Sequence, residues 1–357
     1  MLDLKQDAVA LTAALVDIES VSGNEAHLAD LIEAALRVLP ELTVIRDGNV
    51  VIARTELAKP QRIVLAGHLD TVPLADNLPS RLDGDRLYGC GSSDMKSGLA
   101  VMLRIAHLIG SADFTPTVDV TWVLYDCEEV EAARNGLGRV ARERPELLAG
   151  GLAILGEGTE GTIAGGCQGT LRAEIRTSGV RAHSAYSWQG SNAIHAAAPV
   201  LGLLAAYEPR TAQVEGLSYR EGLNAVGIRG GLAGNIVPDE CVVTVNYRFA
   251  PDRSGAEAEA HLREIFAGFE VTLTDLAPGA RPGLDAPLAR RFAAVVGGQP
   301  QPKFGWTDVA RFGELGIPAL NYGPGDPNVA HTQGEYVLVS RITEAEAVLT
   351  AFLSGDV

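Results

Sequence analysis

Histidine and carboxylate side chains follow several apolar, strand-like segments of the sequence. They are His68 and Asp70 after residues 62–67, Glu128 and Glu129 after 118–125, Glu157 after 152–155, and Asp94 and His331 in glycine-containing loops. Imidazole and carboxylate ligands without cysteine suit Zn²⁺ or a similar divalent ion. The two histidines and three of the carboxylates exceed the ligand set of one catalytic zinc. They favour two ions about 3.5–4 Å apart, bridged by a carboxylate and a water molecule.

These side chains can meet if the segments before them are parallel strands of one sheet. The segments 62–67, 118–126 and 152–155 are apolar, and the helical patterns 98–109 and 136–148 alternate with them. Such alternation predicts an α/β layer with a largely parallel sheet. Open parallel sheets bind ligands at the carboxyl ends of their strands. The polar residues are therefore expected at one edge of the sheet.

Local signals predict further elements near the N-terminus. Residues 44–54 have the composition of a strand, and residues 28–39 have helical spacing. Ser22 stands before that helix in a segment typical of a helix start, which predicts Ser22 as its N-cap.

The pattern changes at about Leu171. The segments 171–177, 193–207, 224–228, 241–249, 255–269 and 271–276 read as strand, helix, two strands, helix and strand. This order is typical of a small α+β domain with a ferredoxin-like arrangement. The stretch 277–283 resembles a hinge, and α/β patterns return after it. We expect a discontinuous α/β domain, 1–170 and 280–357, interrupted by an inserted α+β domain, 171–279.

Composition limits the classes of partner. The chain has 357 residues, with 29 Lys and Arg against 45 Asp and Glu, and a formal net charge of −16. So acidic a chain repels phosphate backbones, which argues against nucleic acid as a partner. No apolar run approaches the ~20 residues of a membrane helix, and the N-terminus lacks the order of a signal peptide. The 4 cysteines form no CxxC motif, which predicts reduced thiols in a cytoplasmic protein.

The ordered motifs resemble the metal site of the M20 metallopeptidase family, whose members include deacylases. The resemblance rests on His68-Leu69-Asp70, the segment 91–98 (GSSDMKSG), Glu128-Glu129, Glu157 and His331. It implies a zinc-peptidase-like catalytic domain with an inserted lid and dimerisation domain. It also implies that His68 and Glu157 bind one zinc ion, that Glu129 and His331 bind the other, and that Asp94 bridges the two. Co²⁺ or Mn²⁺ could replace zinc.

The same resemblance implies how the site works. Asp70 would hydrogen-bond to the second ring nitrogen of His68 and orient the ring. Glu128 would be the general base that takes a proton from water and passes it to the leaving amine. His183, in the inserted domain, resembles the histidine that stabilises the oxyanion, from the partner subunit in dimeric members. The Asp94–Met95 peptide bond would be cis.

Further residues resemble contacts to a small anionic substrate. They are Asn235 before Pro238, Arg248, Arg172, Tyr186, and Thr307 with Arg311 in the segment 307–311 (TDVAR). Arg311 would pair with a substrate carboxylate through two parallel hydrogen bonds. Alternative roles for Asn235, Arg248 and Arg311 are a turn residue, a charge on a strand surface, and a helix-surface ion pair with Asp308.

Several stretches resemble the actinobacterial branch of the family that removes succinyl groups. They are 89–98, 166–172, 182–188, 192–195, 306–312 and 321–327. This branch implies hydrolysis of N-succinyl-LL-2,6-diaminopimelate to succinate and LL-2,6-diaminopimelate, in lysine and peptidoglycan precursor biosynthesis. Tyr186 departs from the arginine often found at its position. The alternatives are an acetylornithine deacetylase, another N-acyl-amino-acid deacylase or peptidase of the family, or a homologue that binds such compounds without hydrolysing them.

Overall fold

The computed structural model describes residues 2–355, which divide into two compact units. Unit 1 is built from Met1–Gly166, Pro282–Gln301 and Asp308–Val357, and unit 2 from Cys167–Arg281 and Pro302–Thr307. Residues 302–307 therefore group with unit 2, whereas the sequence assigned them to the α/β domain. The Trp306 Nε1–H donates to the Pro278 carbonyl oxygen at 3.0 Å, which ties this segment to the end of the inserted domain.

The strands and helices follow one another as a mixed α/β chain. In chain order the strands are β1 (Thr43–Asp47), β2 (Val50–Arg54), β3 (Arg62–His68), β4 (Arg81–Asp83), β5 (Arg86–Tyr88), β6 (Asp119–Tyr125), β7 (Leu152–Leu155), β8 (Ala164–Gly165), β9 (Gly169–Ser178), β10 (Ala182–His183), β11 (Thr211–Val214), β12 (Leu217–Arg220), β13 (Gly222–Gly230), β14 (Ile236–Val237), β15 (Glu240–Phe249), β16 (Glu270–Ala277), β17 (Gln301–Pro302), β18 (Ala319–Asn321) and β19 (Tyr336–Leu338). The helices are α1 (Ala8–Val16), α2 (Ala26–Arg37), α3 (Ser97–Gly110), α4 (Gly136–Glu143), α5 (Ala193–Ala196), α6 (Ala198–Ala205), α7 (Gly255–Ile265), α8 (Pro287–Val296), α9 (Val309–Glu314) and α10 (Val339–Ser354).

The sheet of unit 1 has a parallel centre. Its strands lie in the order β1-β2-β6-β3-β7-β18-β8-β17, and β3 is parallel to both β6 and β7, while β18 is parallel to β7. Leu65, Trp122 and Ile154 belong to one core cluster with residues of α1, α2, α3, α8 and α10. Successive side chains of a strand point to opposite faces of the sheet. Val51 of β2 belongs to this core, whereas Val50 lies on the opposite face, next to Gly136 of α4. Helices on both faces explain why the central strands are apolar throughout.

Unit 2 is an antiparallel sheet with helices on one face. Its main strands lie in the order β13-β15-β9-β16, which with α5, α6 and α7 gives the ferredoxin-like arrangement that the sequence predicted. Alternate residues of β9 and β15 share a core with the helices: Leu171, Ala173, Ile175, Val243, Val245 and Tyr247 from the strands, Ala197 between α5 and α6, Val200 from α6, and Leu262 from α7.

Several predicted elements are interrupted in the structure. Residues 44–54 form a hairpin rather than one strand, because the chain turns at Gly48, whose φ is +57°. The predicted helix 136–148 ends at Glu143, since Pro145 starts a separate 3₁₀ turn. The predicted helix 193–207 is divided at Ala197, before Pro199.

Across residues 2–355, no helix combines the length and apolar character needed to cross a bilayer.

Candidate metal centre

The loops at the carboxyl ends of the parallel strands carry the candidate ligands. His68 is the last residue of β3, Glu129 follows β6, and Glu157 follows β7. His331 lies in the segment after β18, and Asp94 lies in an irregular turn that leads into α3. Because β3, β6, β7 and β18 point the same way, their carboxyl ends meet at one edge of the sheet. The peptide bond between Asp94 and Met95 is cis, as the resemblance implied.

The Asp94 carboxylate lies between two histidine rings. Its Oδ1 is 3.2 Å from His68 Nε2 and its Oδ2 is 3.4 Å from His331 Nε2. His331 Nε2 is also 2.8 Å from Glu129 Oε1. Donor atoms of His68, Asp94 and Glu157 lie within 4.8 Å of one another, and so do those of Asp94, Glu129 and His331. Two potential ligand groups therefore share one aspartate.

These donors fit divalent cations. Both groups offer imidazole nitrogen and carboxylate oxygen atoms, the mixture that suits zinc and similar ions. Hydrogen bonds with Asp94 and Glu129 raise the pKa of His331 to about 10. Burial lowers the pKa of His68, but hydrogen bonds with Asp70 and Asp94 outweigh it and leave that pKa well above its usual value. The surrounding carboxylates thus favour positive charge at the His68 ring and at the His331 ring, and a bound metal ion would provide that charge.

The buried Asp70 contacts both the loop that follows β6 and the ring of His68. Its Oδ1 accepts the Glu128 N–H at 2.9 Å, and its Oδ2 accepts the Glu129 N–H at 3.0 Å and the Ser22 hydroxyl at 2.7 Å. The His68 Nδ1 is 3.0 Å from the Asp70 main-chain oxygen and 3.5 Å from Oδ1. Burial raises the pKa of Asp70, but His68 and these hydrogen bonds lower it to about 2.

Ser22 does not cap a helix. Helix α2 begins at Ala26, its N-cap is Glu25, and no side-chain hydrogen bond caps it. The predicted capping role is therefore wrong, because the Ser22 hydroxyl donates to Asp70 instead. Glu25 is fully buried, and its Oε1 accepts the Cys127 N–H at 3.2 Å. Residues 22–25 thus support the loop that carries Glu128 and Glu129.

Glu128 lies in a strongly acidic environment. It belongs to a potential ligand group with His68 and Glu129. Burial raises the pKa of Glu128 well above its usual value, and the charges of Glu157, Asp308 and Glu129 add to that effect while His68 opposes it. A carboxyl group with a raised pKa binds a proton more readily, as a general base must.

Glu335 is a residue of this centre that the sequence analysis missed. Its carboxylate is buried and accepts the backbone N–H groups of Gly91, Ser93 and Asp94. The available signal was a glutamate four residues after His331, directly before the apolar strand β19.

Comparison with known proteins places the chain in a family. The sequence model of peptidase family M20/M25/M40 matches residues 64–355. The chain belongs to the M20 family. A Mycobacterium tuberculosis relative, provisionally named succinyl-diaminopimelate desuccinylase DapE, is 54% identical over 99% of this chain and 100% of its own. Succinyl-diaminopimelate desuccinylase of Corynebacterium glutamicum is 48% identical over 99% of this chain and 98% of its own.

A solved structure supports the same fold. The crystal structure of a tripeptidase from Staphylococcus aureus matches with a TM-score of 0.79 and 21% identity, covering 99% of this chain and 98% of that one. Membership of the M20 family makes the chain a metal-dependent hydrolase.

His183, the predicted hydrogen-bond donor to the oxyanion, lies in unit 2 of this M20 chain. His183 ends β10, which pairs with β14, and the Asn235 carbonyl oxygen accepts the Ser184 N–H at 3.0 Å. The Ala185 N–H donates to His183 Nδ1 at 3.0 Å, so a neutral ring has its proton on Nε2. The exposed His183 ring can therefore donate from Nε2. Tyr186 is also exposed, and its ring centroid is 5.8 Å from that of His183.

Two of the predicted substrate-binding arginines lie on one face of the sheet of unit 2. Arg172 pairs with Asn246 across β9 and β15, and Arg248 lies two residues further along β15. Burial and the charge of Arg172 lower the pKa of Arg248. The Arg248 Nε–H donates to Asn246 Oδ1 at 3.2 Å. This face, opposite the helices, also carries acidic groups, among them Glu174, which forms an ion pair with Arg229.

The predicted pair Thr307 and Arg311 is divided between the units. Thr307 belongs to unit 2, where it is buried and its carbonyl oxygen accepts the Cys167 thiol. Arg311 belongs to α9 in unit 1 and forms an ion pair with the buried Asp308 at 2.5 Å. The Arg311 side chain is mostly buried, so its pairing with Asp308 is not the surface contact considered from the sequence.

Proposed function

We propose that the chain is a succinyl-diaminopimelate desuccinylase. It hydrolyses N-succinyl-LL-2,6-diaminopimelate to succinate and LL-2,6-diaminopimelate, a step that supplies lysine and peptidoglycan precursors. The observation that carries the proposal is the 48% identity, over 99% of this chain, to the Corynebacterium glutamicum enzyme of that name. The shared Asp94 between two groups of nitrogen and oxygen donors supports the hydrolytic chemistry. A cytoplasmic location stays a prediction from the sequence.

The proposed cofactor is a pair of divalent ions, Zn²⁺ first, with Co²⁺ or Mn²⁺ as alternatives. His68 and Glu157 would hold one ion, Glu129 and His331 the other, and Asp94 both. The distances of Asp94 Oδ1 and Oδ2 from the two rings, 3.2 and 3.4 Å, support a bridging carboxylate. When bound, the ions supply the positive charge that lowers the pKa of a water molecule and polarises the amide carbonyl.

Within this scheme the chain's own residues move the proton. The Glu128 carboxylate takes a proton from water as the water oxygen forms its bond to the amide carbon. The C–N bond then breaks, and Glu128 gives the proton to the amine nitrogen. Asp70 keeps Glu128 in place through the Glu128 N–H, 2.9 Å away. The His183 Nε2–H donates to the carbonyl oxygen as it gains negative charge.

We assign recognition of the anionic substrate to basic and polar groups. Arg172 and Arg248 on one face of unit 2 are suited to a substrate carboxylate, because a planar guanidinium can donate two parallel hydrogen bonds. Asn235, Tyr186, Thr307 and Arg311 complete the proposed set. Arg311 would donate to the substrate while Asp308 fixes its orientation.

We further propose that the chain forms a homodimer through unit 2, the proposed lid and dimerisation domain. Strand β13 is an edge of its sheet, and most of its residues are exposed. Val226 and Ile228 on this strand are 59% and 55% exposed, and Leu201 and Leu203 of α6 are exposed as well. An exposed edge with apolar side chains favours pairing with a second copy.

A substrate panel tests the function. Zinc-loaded protein of measured metal content would be assayed with N-succinyl-LL-2,6-diaminopimelate, N-acetylornithine, N-acyl amino acids and dipeptides. We expect kcat/KM for the succinyl substrate to exceed that for the others by about 100-fold or more, since a site built for a carboxylate leaves charged groups unpaired with smaller acyl groups. Faster hydrolysis of N-acetylornithine would establish the alternative deacetylase, and no hydrolysis would leave a binding protein.

A further inference from the structure

Glu335 holds the loop that presents Asp94. The Glu335 side chain is 2% exposed. Its Oε1 accepts the Ser93 N–H at 2.8 Å and the Asp94 N–H at 3.1 Å, and its Oε2 accepts the Gly91 N–H at 3.1 Å. The Glu335 main-chain oxygen accepts the Gly89 N–H at 3.1 Å. One residue therefore contacts the backbone from Gly89 to Asp94 through both its carboxylate and its carbonyl group.

The same short segment reaches Asp94 from two sides. His331, four residues earlier, lies 3.4 Å from Asp94 Oδ2, while Glu335 accepts the Asp94 backbone N–H. After Glu335, β19 pairs with β5, the strand that precedes the Asp94 loop. The position of the Asp94 side chain relative to His331 is therefore fixed through one continuous set of contacts.

We propose that Glu335 is a positioning residue for the metal centre, acting through the backbone of Asp94. The inference rests on the proposed metal-binding role of Asp94. Hydrogen bonds to a carboxylate are stronger than those between neutral groups, and several converge on this one. They hold Asp94 so that its two oxygens face His68 and His331. Mutation of residues that orient metal ligands typically lowers metal affinity by about 10- to 100-fold.

The substitution Glu335→Gln tests the inference. Glutamine has the same shape, but one acceptor oxygen becomes an NH₂ donor that would face a backbone N–H group. We expect Zn²⁺ affinity, measured by competition with a chromophoric chelator, to fall by about 10- to 100-fold. The visible absorption spectrum of the Co²⁺-loaded variant should change, because the ligand geometry changes. With saturating metal, kcat should fall while KM changes little.

Glu221→Gln is a matched control. Glu221 is also a buried carboxylate that accepts a backbone N–H, from Ala250 at 3.1 Å, together with the Tyr247 hydroxyl at 2.9 Å. It lies in unit 2, outside the proposed metal centre. Glu221→Gln should lower the melting temperature but leave Zn²⁺ affinity and the Co²⁺ spectrum unchanged. Glu335→Asp, which keeps the charge on a shorter side chain, should lose less Zn²⁺ affinity than Glu335→Gln.

The outcomes separate this inference from the proposed function. Wild-type Zn²⁺ affinity and Co²⁺ spectrum in Glu335→Gln would overturn the positioning role, as would an equal loss of affinity in Glu221→Gln. If Glu335→Gln does not fold, Glu335→Asp is measured instead. If neither folds while Glu221→Gln does, Glu335 is purely structural and the inference fails. Wild-type protein that binds Zn²⁺ without hydrolysing the succinyl substrate would refute the proposed function alone. Wild-type protein that binds no divalent ion would refute both.

Discussion

Replacing Glu128 with glutamine should remove the general base while leaving the rest of the centre in place. Glutamine keeps the length of the side chain, and the Glu128 N–H bond to Asp70 Oδ1 is a main-chain contact that survives the change. Glu128 lies close to His68 and Glu129, but it is not in either of the two ligand groups that share Asp94 and that we propose to hold the ions. The variant should therefore bind wild-type amounts of metal, and only proton transfer should suffer.

The magnitude follows from the role. A positioned acid or base contributes about 10²- to 10⁴-fold to the rate, which corresponds to about 3–5 kcal/mol in activation free energy. Burial and the charges of Glu157, Asp308 and Glu129 raise the pKa of Glu128, so water or an exposed carboxylate cannot replace it as an equally effective base. We expect kcat for the succinyl substrate to fall by that factor, with KM nearly unchanged.

The assay combines steady-state kinetics with metal content by atomic emission. Glu131→Gln is the control, because Glu131 lies three residues further along the same loop with a side chain that is 78% exposed. The activity of Glu131→Gln should stay within about twofold of wild type, because the change affects only the exposed ion pair of Glu131 with Arg134, and exposed ion pairs contribute little. A loss below about tenfold in Glu128→Gln with full metal content would refute the assignment of Glu128 as general base.

Four further substitutions test other parts of the scheme. Asp94→Ala should lose metal and activity together, with Zn²⁺ affinity lowered by more than about 100-fold; full metal content would contradict bridging. His183→Ala should lower kcat by about 10²- to 10³-fold with little change in KM, as expected of an oxyanion donor, whereas an effect on KM alone would make His183 a binding residue. Ile228→Glu should weaken the dimer by about tenfold or more in light scattering, while Val38→Glu on exposed surface of unit 1 should not; a dimer unaffected by Ile228→Glu would exclude β13 from the interface. Asp119→Asn should lower the free energy of unfolding at pH 7 by about 1 kcal/mol. Burial raises the pKa of Asp119, but hydrogen bonds from Thr55, Leu57 and Lys59 lower it below its usual value. The stabilisation by the Asp119 carboxylate is therefore present above its unfolded pKa of about 3.9 and is lost as the pH falls through its folded pKa. The free energy of unfolding of Asp119→Asn should accordingly fall less steeply with acidification than that of wild type. An equal or steeper fall would contradict a lowered pKa of Asp119 in the folded protein.

The arrangement of the sheet could be predicted because its signals are local. Residues 152–155 are apolar at every position, as a strand covered on both faces must be, and they form β7 with those bounds. Breaks were harder to predict. The turn at Gly48 and the helix ends near Pro145 and Pro199 interrupt apolar patterns that continue across them. Periodicity reports which face is buried, and a short turn changes it little.

The proximity of the candidate ligands also followed from topology, since residues at the ends of parallel strands meet. Their roles remain proposals. For Glu335 the sequence offered only its position four residues after His331, and for the contact of Ser22 with Asp70 it offered no signal; both contacts link positions far apart in the chain. A carboxylate that accepts backbone N–H groups leaves no periodic pattern, because its partners are defined by loop geometry and not by residue type.

The link between Ser22 and Asp70 bears on how the protein can be shortened. The stretch shared with the family model starts at residue 64, so every candidate metal ligand would survive removal of the preceding chain. Such a fragment would nevertheless lack the hydroxyl that holds Asp70 and the Glu25 carboxylate beneath Cys127. Intact ligands on unsupported loops would make a poor catalyst, so residues 22–25 belong in any minimal version of the enzyme.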